Sequence, residues 1–192
     1  MLLRVILVVA LSVMGSAAPA RAEGVVQNLI TPSDAQKLAK YGETRKKAIE
    51  ESRTGAPAEI AILDALLAGP ILSFGDVDMM GKWQCRTIKV GGIGDLVIYD
   101  WFRCRVTDDG SGWRLEKTSG SQRTAGTFYT DDDRRLIYLG SLFIAGDPIT
   151  PYGSGPKTDQ VGYAFRIGPA AWRIEMPAPY YESTLDILEF RR

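Results

Sequence analysis

Two short segments gather most of the side chains with chemistry to offer, Trp83-Gln84-Cys85-Arg86 and Trp101-Phe102-Arg103-Cys104-Arg105. Guanidinium groups present a planar fork of donors that matches carboxylate and phosphate oxygens. Arg86, Arg103 and Arg105 on one sheet face would therefore make an anion-binding patch. The plainer alternative is a solvated outer face with one Arg–Glu bridge, Glu116 lying opposite Arg103. Gly120-Ser121-Gln122-Arg123 places Gln122 and Arg123 on or near a turn, where a loop arginine binds an oxyanion or a backbone carbonyl. Tyr152, in the loop Pro151-Tyr152-Gly153, and Arg173 complete the candidates. Convergence of Gln122, Arg123, Tyr152 and Arg173 on one pocket would signal ligand binding.

Other chemistries fail on residue type or spacing. The chain contains no histidine. That removes the commonest general base, the Ser-His and Cys-His pairs, and the commonest zinc or iron ligand. Gly153-Ser154-Gly155-Pro156-Lys157-Thr158 resembles the end of a phosphate-binding P-loop, but Pro156 removes a backbone N–H that the cradle needs. Asp76-x-Asp78 and Asp131-Asp132-Asp133 lack the glycine and distal glutamate of a calcium loop and read as turns. Glu116 with Glu175 or Glu182 is the remaining pair for carboxylate chemistry, and no spacing sets their separation. No catalytic residue, metal site or cofactor is expected.

The elements that must position these residues begin with a leader. Residues 1–22 read as a cleavable secretory signal: Arg4 supplies the positive region, Val5 to Met14 the apolar run, and Ala20-Arg21-Ala22 the small-residue cleavage site. The apolar run is too short to span a bilayer, and no later segment approaches the ~18 to 20 apolar residues a span needs. Loss of Arg4 and Arg21 lowers the basic count from 23 to 21 against 23 acidic residues, so a nucleic-acid partner is not expected. In an exported chain, Cys85 and Cys104 read as one structural disulfide, worth about 3 kcal/mol by loop closure. The localisation expected is periplasmic or secreted.

Residues 23–80 read as a two-helix arm. Thr31 is the N-cap, Pro32 the first helical residue, and Asp34 sits in the first turn. Ala35, Leu38, Tyr41, Arg45, Ala48 and Ile49 then recur at helical spacing. Thr54-Gly55-Ala56-Pro57 breaks this helix, a second runs from Ala58 to Leu67, and Ile71 to Met80 is a linker. From Gly81 the period changes to 2, and residues 81–192 divide into eight candidate strands near 82–89, 97–106, 112–118, 121–129, 134–143, 161–167, 171–176 and 183–190. Tyr180-Tyr181, after Pro177-Ala178-Pro179, would either line an opening or, as such a segment more commonly does, form the ordered entry to the last strand. The fold class is mainly β with N-terminal helices (α+β), its eight antiparallel strands forming a barrel or a sandwich.

Pairing Cys85 with Cys104 sets Trp83 against Val106, Thr87 against Phe102, and Arg86 against Arg103. The next hairpin sets Trp113 against Val106 and Leu115 against Cys104. Both registers put Trp83, Cys85, Phe102, Cys104, Val106, Trp113 and Leu115 on a core face, with Arg86, Arg103, Arg105 and Arg114 opposite.

At Cys85-Arg86, Trp101 to Arg105, Lys117 to Arg123, Trp172-Arg173 and Glu182 to Asp186 the chain resembles a family of exported Gram-negative proteins known as a domain of unknown function. The resemblance implies no activity. Gly81-Lys82-Trp83 at the first strand is similar to the G-x-W of lipocalin-like barrels, among them small periplasmic inhibitors of secreted metalloproteases, although the T-D-Y motif is absent and the arm is longer. The reading is a non-catalytic periplasmic module binding a small anionic ligand or a periplasmic protein. The alternatives are an inhibitor-like barrel, a histidine-independent hydrolase using carboxylates, and a structural envelope protein docking through its arm.

Overall fold

A computed structural model describes residues 24–75 and 77–192; residues 1–23, over which the secretory signal at 1–22 is expected, and Asp76 lie outside the described residues. Among the described residues, nine strands follow four α-helices. They are β1 (Gly81–Val90), β2 (Leu96–Ile98), β3 (Phe102–Asp108), β4 (Trp113–Lys117), β5 (Gln122–Thr130), β6 (Arg135–Ile144), β7 (Asp159–Gly168), β8 (Ala171–Pro177) and β9 (Leu185–Arg191). Each pairs antiparallel with its neighbour, and β9 returns to β1. The architecture is thus an eight-stranded closed barrel plus one short extra strand, and the sandwich alternative is discarded. Closure leaves no free sheet edge around the ring, which is how an antiparallel sheet avoids pairing with other chains.

The extra strand corrects the expectation of one strand over 97–106. β2 pairs with the end of β1 (Ile88 with Ile98) and β3 with its start (Cys85 with Phe102). Four residue steps on one side thus oppose three on the other. The surplus residue is a bulge: the Tyr99 N–H still donates to the Thr87 carbonyl of β1, and Asp100-Trp101 leave the ladder there.

The registers also differ from expectation, by two residues. Trp83 pairs with Cys104 and Cys85 with Phe102, while Val106 pairs with Leu115 and Cys104 with Lys117. The Cys85–Cys104 disulfide is present but runs diagonally, with its Cα atoms 5.9 Å apart. Because side chains alternate with period 2, a two-residue shift leaves every face unchanged. Trp83, Cys85, Cys104, Val106 and Leu115 are buried inside, and Arg103, Arg105 and Arg114 are exposed outside.

One end of the barrel is sealed with aromatic rings. Trp172 stacks on Phe190 at 3.5 Å between centroids, with Trp83 and Phe128 edge-on to it. Phe74 and Met79 join this cluster and Val77 packs against it, so the segment leading into β1 contributes to the core and is not a passive linker. Leu72 bridges to Arg166, and the Trp83 indole donates to the Met79 carbonyl. Each large buried side chain here contributes about 1.5 to 3 kcal/mol.

The helices α1 (Gly24–Leu29), α2 (Pro32–Ala39), α3 (Tyr41–Glu51) and α4 (Pro57–Ala68) cover part of the outer wall. Thr31 caps α2 as expected, its hydroxyl accepting from the Asp34 N–H. The expected single first helix breaks at Lys40, the hinge between α2 and α3. Either side of the break meets a different strand of the curved wall: Leu38 clusters with Ile137, Leu139 and Val161, and Ala48 with Ile88, Val90 and Ile187. A straight helix would leave that surface.

Candidate functional site

At the end opposite the aromatic seal, the barrel is open. A cavity of about 480 Å³ occupies the mouth, walled by Lys89, Gln122, Leu142, Gln160, Met176 and Asp186 from six strands, and by Pro179, Tyr180, Tyr181 and Glu182 of the β8–β9 loop. A smaller recess of about 140 Å³ shares Lys89 and Gln122 with it and adds Thr87, Tyr99, Phe102 and Lys117. The combined site falls within the usual size range of small-molecule pockets.

The strand pattern explains these positions. Trp83, Cys85, Thr87 and Lys89 alternate along β1, so Lys89 points inward with the core residues. Trp113, Leu115 and Lys117 do the same on β4, and Asp186, Leu188 and Phe190 on β9. Each of these three strands is thus apolar at the sealed end and polar at the mouth.

Two glycines seat a tyrosine in the barrel core. Gly126 and Gly140 pair across β5 and β6, and Tyr138 lies over both. A Cβ on Gly126 would stand 2.7 Å from the Tyr138 ring and 2.4 Å from the Gly140 Cα. Glycine is therefore required for the ring to lie flat against these two strands. The Thr124 hydroxyl donates to Gln160 Oε1 at 2.6 Å, so the Tyr138 hydroxyl, also 2.6 Å from Thr124, is the donor in its pair. Burial holds the Tyr138 phenol well above the usual tyrosine range, which keeps that proton in place. Gln160 also lines the cavity, and its amide N–H groups take no part in this chain of hydrogen bonds.

Two lysines in the site differ in their company. Lys89 lies 3.2 Å from Glu182 and 3.7 Å from Asp186. Asp186 also accepts from the Ser183 hydroxyl at 2.5 Å. Burial pushes its carboxyl above the ordinary range, against the pull of Lys89 and Ser183. Lys117 is only 6% exposed, and among the described residues no carboxylate lies within ion-pair reach of it. Its ammonium sits 4.3 Å from the centre of the Phe102 ring. Burial and then the nearby Arg123 hold its pKa below that of an ordinary lysine.

Of the candidate binding residues, only Gln122 lines this site. Arg86 bridges Glu189 on β9 at 2.6 Å, and Arg86 and Arg191 flank the Trp101 ring. Arg103 and Arg105 are exposed on the outer face, Arg103 opposite Gln84, and Glu116 pairs with Arg105 rather than Arg103. Arg123 donates to the Gly120 carbonyl, closing its own turn. Tyr152 donates to Asp34 and accepts from the Thr31 N–H, fastening α2 to the long loop, with its phenol pushed up to about 12 by burial. Arg173 is buried beneath the arm, where Glu175 receives it at 2.6 Å, Arg45 at 2.8 Å and the Tyr41 hydroxyl at 2.7 Å. The anion-binding candidates are therefore dispersed over the outer wall.

The remaining motifs resolve as structure. In the P-loop look-alike, the N–H groups of Gly153 and Gly155 both donate to the Asp159 carboxylate, so the chain fills its own anion nest. Asp131 bridges Arg135 at the β5–β6 turn. Glu116 lies on the outer face of β4, Glu175 under the arm and Glu182 at the mouth, and no two of them share a cleft.

The family model of a domain of unknown function, DUF4893, matches residues 26–190, the arm and the barrel together. The chain belongs to the DUF4893 family. No curated protein and no solved structure matches it. The match runs continuously from α1 to the end of β9, so in DUF4893 the arm is as much part of the unit as the barrel. Among the described residues, no helix of this DUF4893 chain is long and apolar enough to cross a membrane.

Proposed function

We propose that this chain is a non-catalytic, exported binding module that holds a small ligand in the mouth of its barrel. One observation carries the reading: a barrel packed solid at one end keeps a cavity of about 480 Å³ at the other, lined by inward polar groups and apolar rims. A fold built only for stability would fill this space, since each large apolar side chain added to a core is worth about 1.5 to 3 kcal/mol. The Cys85–Cys104 disulfide supports export to the periplasm or beyond, because such bonds persist in oxidising compartments. The dispersal of Glu116, Glu175 and Glu182 speaks against the carboxylate hydrolase.

Native mass spectrometry of the mature protein, purified gently from the periplasm of a Gram-negative host, tests the proposal. The expected spectrum carries a small-molecule adduct that is released on denaturation. A spectrum of bare protein, together with no thermal shift from a broad panel of small molecules, would refute it.

A further inference from the structure

Resting on the mouth as a ligand site, we infer that its ligand is an amphiphile with a single negative charge, its headgroup at Lys117 and its apolar chain in the larger cavity. Charge supports the headgroup. Lys89 is met by Asp186 and Glu182, whereas Lys117 is 6% exposed with no carboxylate in reach among the described residues. The other charge acting on it is Arg123, a cation. A buried cation without a counter-ion is costly, and an anion from solution removes that cost. Lys157, the other lysine of the site with no ion pair among the described residues, is exposed at the rim, so Lys117 is the buried one left to match a single negative charge, bordered by the Gln122 amide. The recess of about 140 Å³ around it has room for a carboxylate-sized group.

The walls support the chain. Leu142, Ile144, Met176, Pro179, Tyr180 and Tyr181 line the larger cavity. Three of them are left open to water, Ile144 at 48%, Tyr180 at 51% and Tyr181 at 45% exposed. Tyr180 and Tyr181 pack edge to face at 4.7 Å, a preformed apolar lip. Scattered exposed hydrophobics are ordinary, but a cluster rimming a cavity marks a surface that something covers. The recess and the cavity share Lys89 and Gln122, so a chain leaving a headgroup at Lys117 passes between them into the apolar part.

Calorimetric titration of the disulfide-intact mature chain with decanoate, decanol and acetate separates charge from chain. Decanoate is expected to bind roughly 10- to 100-fold more tightly than decanol, the range of a charge-assisted hydrogen bond, and acetate only weakly. Lys117→Met should bring decanoate down to the level of decanol and leave decanol unchanged. Lys117→Gln serves the same purpose should the methionine variant fold poorly. Equal binding of decanol and decanoate, or decanoate binding undiminished in the variants, would overturn the charged headgroup while leaving the cavity as a ligand site. Absence of binding by all three probes, with no adduct in the native spectrum, would overturn both.

Discussion

The outer wall beneath the arm and the inner wall at the mouth both bury cations, with opposite outcomes. Under the arm, Glu175 is fully buried and receives Arg173, Arg45 and Tyr41, and Arg173 also donates to the Leu66 carbonyl. Every group there has a partner supplied by the chain, and the partners come from α3, α4 and β8. At the mouth, Lys117 has an aromatic face and no carboxylate in reach among the described residues. A buried polar group is tolerated when its partners are complete, so the first cluster fastens the arm to the barrel. The second is incomplete in the same terms, and incompleteness beside a cavity is what a binding site needs.

The largest effect that would sharpen this contrast is on Glu175. Glu175→Gln leaves Arg173 and Arg45 without their shared anion, and urea unfolding should show a loss of about 3 to 5 kcal/mol. Faster amide exchange in α3 should accompany it, since Tyr41 and Arg45 lose their anchor. A loss below about 1 kcal/mol would mean that the cluster does not hold the arm. Reduction of Cys85–Cys104 ranks next. Opening a loop of this length should lower stability by about 3 kcal/mol, read from denaturation with and without reductant.

Lys117→Met should act in the reverse direction to Glu175→Gln. It replaces an unpaired buried cation with an apolar side chain of similar length, and should raise stability by roughly 1 kcal/mol. The gain depends on pH with a definite sign. Burial, then Arg123, depresses the Lys117 pKa in the folded state, so the unfolded chain binds the proton more readily. The wild type therefore recovers stability as pH rises from the depressed value to the ordinary lysine value, and its deficit against Lys117→Met narrows. Melting both proteins from neutral to alkaline pH reads this directly, and a gap that widened would contradict it. Smallest of all, Arg105→Ala on the exposed face should change stability by less than about 0.5 kcal/mol, Glu116 being only its register neighbour on β4.

The faces of the barrel were legible in the alternation of Trp83, Cys85, Cys104, Val106 and Leu115, and survived a register wrong by two residues. The error arose because a disulfide joins diagonal as well as directly opposed neighbours in a sheet, which the two cysteines alone do not distinguish. The bulge at Tyr99-Asp100-Trp101 carries no glycine or proline to announce it. The site was less legible, for a reason that Lys89 and Lys117 illustrate. The same alternation that placed Trp83 and Leu115 inside places these lysines inside too, but a charged residue at a strand end reads as solvent-facing. Arg86, Arg103 and Arg105 attracted attention through local clustering. Arg173 depends on Glu175, two residues away, and on Tyr41 and Arg45, far off in sequence, so its role as a fastening waited on tertiary structure.

The most direct test sets the two melting curves of wild type and Lys117→Met against each other, with and without decanoate. Without ligand the variant should melt higher. At one decanoate concentration the wild type should rise by more than the variant, which still holds the chain as it holds decanol, so that the gap closes or reverses. A variant that melts lower without ligand, or that gains as much from decanoate as the wild type, would contradict the account of Lys117 as a cation kept unpaired for a ligand.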